Sequence, residues 1–259
     1  MRLLIFVPLL GILWGCTATP KVVDAPTIAL SVPQARQELR KIAEHPKPLE
    51  RPLVILNGYL DPGLGGLAVG SFIREHVSGG RIITVSFMWC SSFEACRQRV
   101  IEAVDAALPN DDPEQTAEVD VIGLSMGGLV GRYAAAGVPN ARRLNVRNLF
   151  TVSSPHQGAT RAEALPPITQ MQVDMRPQSK FLRRLSEWDR GVQYHLFPYS
   201  RLNDRVVGAQ YAAPPGRRAV VVPNEPFQPA HVGAATDPRI LADVLRHLRR
   251  ERPLVSGHS

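Results

Sequence analysis

Three side chains have the types that covalent catalysis by a serine requires. Ser125 lies in the stretch Gly-Leu-Ser-Met-Gly at 123–127, and Asp204 and His231 follow it in the chain. A serine hydroxyl is a poor nucleophile until a neutral imidazole takes its proton, and a carboxylate holds that imidazole in the required tautomer. The residue types therefore predict Ser125 as nucleophile, Asp204 as orienting acid and His231 as general base.

The residues around Ser125 predict a strand, a sharp turn and a helix. A β-branched run at 119–122 precedes the serine, and apolar residues recur at helical spacing after it. The turn needs Gly123 and Gly127 because a Cβ at either position would crowd the strand and helix that meet there. Met126 begins the helix, so its backbone N–H is a predicted oxyanion donor. A simple glycine-rich loop is the alternative, and the flanking elements argue against it.

This stretch resembles the nucleophile elbow of α/β-hydrolases, in the G-[LH]-S-M-G-G form frequent in bacterial lipases and esterases. The turn at 154–158, Ser-Pro-His-Gln-Gly, is similar to the Thr-Pro-His-x-Gly turn of those lipases. Residues 175–182 are similar to their M-x-P-x-S-x-F-L segment, and 204–207 to their D-x-V-V pattern. The resemblance spans about residues 50–250 and extends to inositol-deacylase-like esterases. It implies a serine hydrolase that cleaves carboxylic esters, of lipids or other acyl groups, through an acyl-enzyme.

Strands and helices alternate along the chain, which predicts βα units and a mostly parallel sheet. With the resemblance, this gives an α/β-hydrolase fold of about six strands with helices on both faces. Little chain precedes Pro52, so the two antiparallel strands that usually open this fold are not expected. Residues 160–190, broken by Pro177, predict a small helical cap insert over the site, with a fixed packing helix as the alternative.

The loop at 57–60 leaves the carboxyl end of the first predicted strand. In lipase-like hydrolases this place carries His-Gly-x, whose third residue supplies the second oxyanion amide. Asn57 replaces that histidine, and the resemblance implies Tyr59 as the donor, with Leu60 as the alternative if the loop is shifted by one residue.

Asp204 is preferred over three other aspartates as the acid. Asp174 and Asp189 lie in or beside the helical insert, and Asp237 follows His231 and is expected to cap the last helix. His156 precedes every candidate acid, so a structural role is expected for it.

The segment 63–68 matches Gly-x-Gly-x-x-Ala, a variant of the dinucleotide fingerprint. It does not follow its strand directly, and no acidic residue ends the next strand. A helix-opening loop is therefore expected, with no cofactor. No cluster of residues has metal-ligand spacing, so no metal is expected.

The N-terminus predicts export. Residues 1–15 contain one arginine and an apolar run too short to span a bilayer, which indicates a signal peptide. Residues 13–16 resemble a bacterial lipobox, apart from Trp14, and this implies lipidation of Cys16. Residues 16–30 are interpreted as a tether and 31–259 as a single domain, in a membrane-anchored lipoprotein of the bacterial envelope. An ordinary signal peptide is the alternative. The formal net charge is +7, but the sequence contains no cluster of basic and aromatic residues of the kind that nucleic-acid binders use. Nucleic-acid binding is therefore not expected.

Lipidation of Cys16 would leave Cys90 and Cys96, an even pair in an oxidising compartment, which predicts a disulfide. Ser91 to Glu94 has the spacing of a capping box, so a helix is expected to begin after Cys90.

Two other functions use the same residues. An acyltransferase would differ only in passing the acyl group to an alcohol instead of water. A non-catalytic envelope-binding lipoprotein is disfavoured because all three triad positions are filled. The expected partners are an acyl ester or lipid substrate and, through Cys16, a membrane surface; no protein partner is indicated.

Overall fold

The computed structural model describes residues 25–160 and 166–255. Six parallel strands form one sheet in the order β2-β1-β3-β4-β5-β6. The strands are β1 (Leu53–Leu56), β2 (Ile82–Val85), β3 (Val119–Leu124), β4 (Val146–Val152), β5 (His195–Arg201) and β6 (Val220–Val222). The predicted α/β-hydrolase class and strand number are confirmed.

Helices follow the strands and cover both faces of the sheet. They are α1 (Val32–Glu44), α2 (Leu64–His76), α3 (Phe93–Ala107), α4 (Met126–Ala135), α5 (Gln170–Asp174), α6 (Lys180–Trp188), α7 (Ala230–Gly233) and α8 (Pro238–Leu248). The helical insert is present as α5 and α6, with Pro177 between them as predicted. The N-cap of α3 is Ser92, whose Oγ accepts from the Ala95 N–H. The capping box predicted from Ser91 was therefore wrong by one residue.

Strand β1 shows why the sheet is buried on both faces. Leu53 and Ile55 pack in the apolar cluster that includes side chains of α1, α2 and α8. Val54 and Leu56 point the other way, into the cluster formed with α3 and α4. Alternate residues of one strand thus serve two cores, as expected for a parallel sheet between helical layers.

Strand β5 begins and ends later than the predicted strand at 192–197, and it contains Pro198. Proline removes a ladder hydrogen bond and is tolerated only where a partner is missing. Strand β6 pairs only with Tyr199–Arg201, so Pro198 has no β6 residue opposite it.

Residues 25–28, which the sequence assigned to a tether, belong to the fold. The Thr27 hydroxyl donates to the Val221 carbonyl at 2.7 Å, and the Val221 N–H donates to the Pro26 carbonyl at 2.9 Å. Ile28 forms an antiparallel bridge with Val255. The segment covers the outer edge of β6, which would otherwise expose unpaired backbone groups.

Candidate active site

Ser125 lies at a strained turn between β3 and α4. Its φ is 50° and its ψ is −119°, in a region that residues with a side chain rarely adopt. Close packing explains the glycines around it: a Cβ on Gly123 would lie 2.5 Å from the Gly128 Cα, and one on Gly127 would lie 2.2 Å from the Leu56 carbonyl oxygen. The turn therefore holds the serine at the carboxyl edge of the sheet.

Two other carboxyl-edge connections bring Asp204 and His231 to the serine. The His231 Nδ1 lies 2.9 Å from Asp204 Oδ2, and its Nε2 lies 3.0 Å from Ser125 Oγ. Because a carboxylate only accepts hydrogen bonds, Nδ1 carries the hydrogen and Nε2 is free to accept from the serine hydroxyl. The three side chains thus have the geometry in which a serine can lose its proton to an imidazole.

The surroundings of Asp204 keep its buried carboxylate ionised. Burial alone would raise its pKa. The bond and charge of His231, together with the Val207 and Val206 N–H groups on Oδ1 at 3.1 and 2.9 Å, outweigh burial and lower the pKa below the usual value. A carboxylate stabilised in this way can fix the orientation of the His231 ring throughout the neutral pH range.

The loop after β1 lies against the elbow. A Cβ on Gly58 would lie 3.5 Å from the Ser125 Cβ, so the neighbouring residue Tyr59 is close to the nucleophile. Asn57 is fully buried and holds this loop: its Nδ2 donates to the Val85 carbonyl at 2.9 Å, and its Oδ1 accepts from the Gly66 N–H at 2.7 Å. Asn57 thus ties β1, β2 and α2 together.

Both residues that were predicted as oxyanion donors lie next to Ser125. Met126 begins α4, so its N–H is one of the first four amides, which have no acceptor within the helix. The side chain of Tyr59 is fixed at the other end by its hydroxyl, which lies 2.9 Å from Thr169 Oγ1 at the N-cap of α5. The cap insert therefore contacts the predicted oxyanion loop.

A cavity of about 430 Å³ opens beside Ser125. Most of its lining is apolar, and it includes Val207, Val232 and, from the cap insert, Met175. Mostly apolar walls beside the Ser125 hydroxyl suit an aliphatic group held next to a reacting carbonyl.

Arg201, which the sequence analysis missed, supports the segment that carries His231. The buried guanidinium of Arg201 bonds Asp237 at 2.9 Å and donates twice to Gln228 Oε1 at 3.1 Å, three residues before His231. A Cβ on Gly233 would lie 2.4 Å from Arg201 Nη1, so α7 packs directly on it. The feature of the sequence that could have indicated this supporting role is an arginine at the end of a buried strand.

The other three aspartates are not at the site. Asp237 caps α8, accepting from the Arg239 N–H, as predicted. Asp189 bonds Arg132 at 2.9 Å, and Asp174 accepts from Gln170 at the surface. None of the three contacts His231 in the described part of the chain.

His156 is fully buried and has structural partners. Arg132 donates to its Nδ1 at 3.2 Å, so Nε2 carries the hydrogen and donates to Thr151 Oγ1 at 2.9 Å. Burial, with the positive charges of Arg132 and Arg217, lowers the pKa of His156 well below the usual histidine value. The ring is therefore a neutral packing element, as the sequence order suggested.

The segment 63–68 opens α2, as expected for a helix-opening loop. The Asp61 carboxylate accepts from the N–H groups of Gly63, Leu64 and Gly65 at 2.8 to 3.0 Å. A carboxylate of the chain thus occupies the helix N-terminus, where a dinucleotide would place its pyrophosphate.

The predicted disulfide was wrong, since Cys90 and Cys96 are both free thiols. Cys96 is buried on α3, and its Sγ lies 3.8 Å from the Met171 Sδ. Its thiol thus contacts the cap helix α5 and also the side chain of Cys90. The predicted signal peptide and the lipidation site Cys16 lie outside the described residues.

Residues 25–160 and 166–255 contain no helix with the length and apolar character needed to cross a membrane. In the same ranges no group of three or more histidine, cysteine, aspartate or glutamate side chains could hold a metal ion.

The fold and the cleft around Ser125 are those of an α/β-hydrolase, and comparisons with known proteins agree. Residues 68–223 match the family model for palmitoyl protein thioesterase. This match covers more than half of the chain, so the protein belongs to the palmitoyl protein thioesterase family and is a carboxylic ester hydrolase of the esterase and lipase type. No curated protein sequence matches the chain.

Solved structures share the fold at low sequence identity. The lin2722 gene product from Listeria innocua superposes with a TM-score of 0.55 at 10% identity, over 78% of this chain and 95% of that one. Lipase BlEst2 from Bacillus licheniformis, in its propeptide form, gives 0.53 at 11% identity, over 83% of this chain and 54% of that one. The metagenomic carboxyl esterase MGS0156 gives 0.50 at 17% identity, over 78% and 76%.

Proposed function

We propose that Ser125, His231 and Asp204 form the catalytic triad of a serine hydrolase that acts on acyl esters or thioesters. The unbroken line of hydrogen bonds from Asp204 through His231 to Ser125, at the edge of an apolar cavity, is the observation that carries this proposal. The acyl chain would occupy the cavity, with the reacting carbonyl at Ser125. Membership of a family named for a palmitoyl thioesterase supports a long aliphatic acyl group.

The proposed reaction has two halves. Ser125 Oγ attacks the carbonyl carbon while its proton passes to His231 Nε2, and the N–H groups of Met126 and Tyr59 stabilise the oxyanion. His231 then protonates the leaving alcohol or thiol, which leaves an acyl-enzyme. Water attacks that intermediate with His231 again as base, and the acid product departs as Ser125 regains its proton.

The proposal is tested by substituting the triad residues in the full chain and measuring hydrolysis of p-nitrophenyl esters of increasing acyl length. Ser125→Ala should abolish hydrolysis and labelling by a fluorophosphonate probe. Asp204→Asn should lower kcat by about 10⁴ because the imidazole then loses its fixed tautomer. The matched control is Asp174→Asn, which removes a carboxylate from the cap surface and should stay within a few-fold of wild type.

Two outcomes would contradict the assignment. One is full activity of folded Ser125→Ala. The other is an Asp204→Asn variant that matches the Asp174→Asn control. Preference for long over short acyl chains would support the cavity as the acyl site, and equal rates would not.

We further propose that the chain is exported and anchored to the bacterial envelope through lipidated Cys16, on the strength of residues 1–16 alone. Mass spectrometry of the mature N-terminus tests this. A soluble protein with an unmodified N-terminus would contradict it.

A further inference from the structure

Large hydrophobic side chains that are strongly exposed gather at one edge of the sheet. Within the described ranges, all of them lie on the connections that follow β1, β2, β4 and β6. The carboxyl ends of parallel strands share one edge, which is also the edge that carries Ser125. We call six of these side chains the apolar rim: Leu60, Leu64, Trp89, Ile168, Phe227 and Val232.

Four members of the apolar rim lie in or directly beside the lining of the 430 Å³ cavity. Val232 lines that cavity and is nevertheless 73% exposed. Leu60 and Leu64 each adjoin residues of the lining. The Ile168 N–H donates to Gln172 Oε1 at 2.6 Å, and Gln172 is part of the lining.

The loop that carries Trp89 is attached to the same opening. The Ser86 hydroxyl donates to the carbonyl of Asp61, a lining residue, at 2.7 Å. Trp89 itself is 83% exposed. Leu60 and Phe227 have φ angles of 57° and 61°, a conformation that costs about 1–2 kcal/mol in a residue with a side chain. The fold thus retains strained backbone at two positions where an apolar side chain faces water.

We propose that the apolar rim docks on the surface of a phospholipid bilayer, so that the cavity opens onto the acyl chains. Exposed apolar patches of this kind mark interaction sites, and tryptophan is enriched where proteins meet the membrane interface. A lipid surface fits because the rim lies beside an apolar cavity that acyl chains could enter, whereas a second protein copy seated there would close it. The net charge of +7 favours a membrane with anionic lipids.

The path of the chain agrees with this orientation. Ala25 packs in the apolar cluster that includes Leu202 and Val206, just after the carboxyl end of β5. The N-terminal segment therefore joins the folded domain near the edge of the sheet that carries the apolar rim. Eight residues lie between Cys16 and Ala25, and the nine Cα–Cα steps can span up to about 30 Å, so an anchor at Cys16 would leave the rim within reach of the bilayer.

Tryptophan fluorescence tests the docking separately from anchoring and from catalysis. The full chain carrying Trp14→Phe retains Trp89 and the partly buried Trp188. Mixed with vesicles of brominated phosphatidylcholine and phosphatidylglycerol in equal parts, its emission should be quenched relative to non-brominated vesicles. Adding Trp89→Phe should remove most of that quenching. A lipid anchor alone does not bring Trp89 into the bilayer, and the signal does not depend on whether Ser125 is the nucleophile.

A paired substitution supplies the second measurement. In the Trp14→Phe background, Leu64→Glu with Phe227→Glu places two negative charges on the rim, and it should abolish the quenching while leaving hydrolysis of water-soluble p-nitrophenyl acetate unchanged. The matched control is Gln37→Glu with Ala106→Glu, which adds the same charge at exposed positions of α1 and α3. Its emission should be quenched as strongly as that of the Trp14→Phe parent.

Three results would overturn the proposal. The first is absence of Trp89 quenching in the parent protein. The second is undiminished quenching in the Leu64→Glu, Phe227→Glu pair. The third is a rim that mediates self-association in solution, abolished by the same pair, without any quenching by brominated lipid. That last result would assign the rim to contact between copies of the chain.

Discussion

Replacing His156 with glutamine should change how stability depends on pH while leaving ester hydrolysis within about tenfold of wild type. In the folded protein the ring stays neutral because it is buried and because Arg132 donates to its Nδ1. Protonation would place a second N–H against that guanidinium and a second positive charge beside it. The folded state therefore resists taking up a proton at this site.

The sign and size follow from the lowered pKa of His156. In the unfolded chain this side chain gains a proton below about pH 6.5, whereas the folded state does not. The free energy of unfolding should then decrease by about 1.4 kcal/mol for each pH unit below that point. Between about pH 6.5 and pH 5 the loss is about 2 kcal/mol, or about 4–8 °C in Tm for a domain of this size.

Urea unfolding followed by circular dichroism at both pH values measures the effect. Any loss of packing in His156→Gln lowers the free energy of unfolding by the same amount at both pH values, so the difference between the two pH values removes it. Wild type should lose about 2 kcal/mol more than His156→Gln on acidification. His195→Gln removes an exposed histidine and should keep the wild-type pH dependence. Equal losses in wild type and His156→Gln would refute a buried neutral ring.

Two more predictions concern the cap insert and the thiols. Tyr59→Phe should lower kcat/KM about fivefold, which corresponds to about 1 kcal/mol, because it removes the hydrogen bond to Thr169. Thr169→Val also removes the N-cap bond to Gln172 and should cost at least as much, and the double variant should be no worse than Thr169→Val alone; additive losses would contradict this coupling. Iodoacetamide should modify Cys90 in the folded protein and Cys96 only after unfolding, because Cys96 is buried and burial raises the pKa of its thiol. Mass spectrometry of the protein unfolded without reductant checks this. If neither thiol is modified there, the two cysteines are bonded to each other and the prediction fails.

Much of the fold and the core of the candidate site could be predicted from local patterns. The strand, turn and helix around Ser125 are encoded within about fifteen consecutive residues, so their geometry depends little on the rest of the chain. Asp204 and His231 could be predicted as site residues because the loops that follow parallel strands lie at one edge of the sheet. Because Asp237 follows His231 in the chain, it could be assigned to a helix N-terminus instead of to the triad.

Contacts between distant segments could not be read in the same way. The support of His231 by Arg201 and Gln228 depends on where a buried guanidinium meets a later loop, and no spacing rule encodes that. The disulfide prediction also failed: the even number of cysteines suggested a bond, whereas Cys90 and Cys96 are free thiols and Cys96 contacts Met171, which lies far along the chain. The apolar rim could not be predicted from the sequence either, because its members are far apart in the chain and lie together only at the edge of the folded sheet.

The bridge between Ile28 and Val255 has a consequence for how the protein reaches its native state. The segment that covers β6 precedes all six strands in the chain, whereas its partners lie far downstream; the Thr27 to Val221 bond alone spans 194 positions. Contacts of such long range require closing a loop of about two hundred residues before they gain any stability, which slows folding. The edge of the sheet at β6 is therefore completed only after Val221 and Val255 have been made. Until then β6 offers an open strand with which other chains can pair.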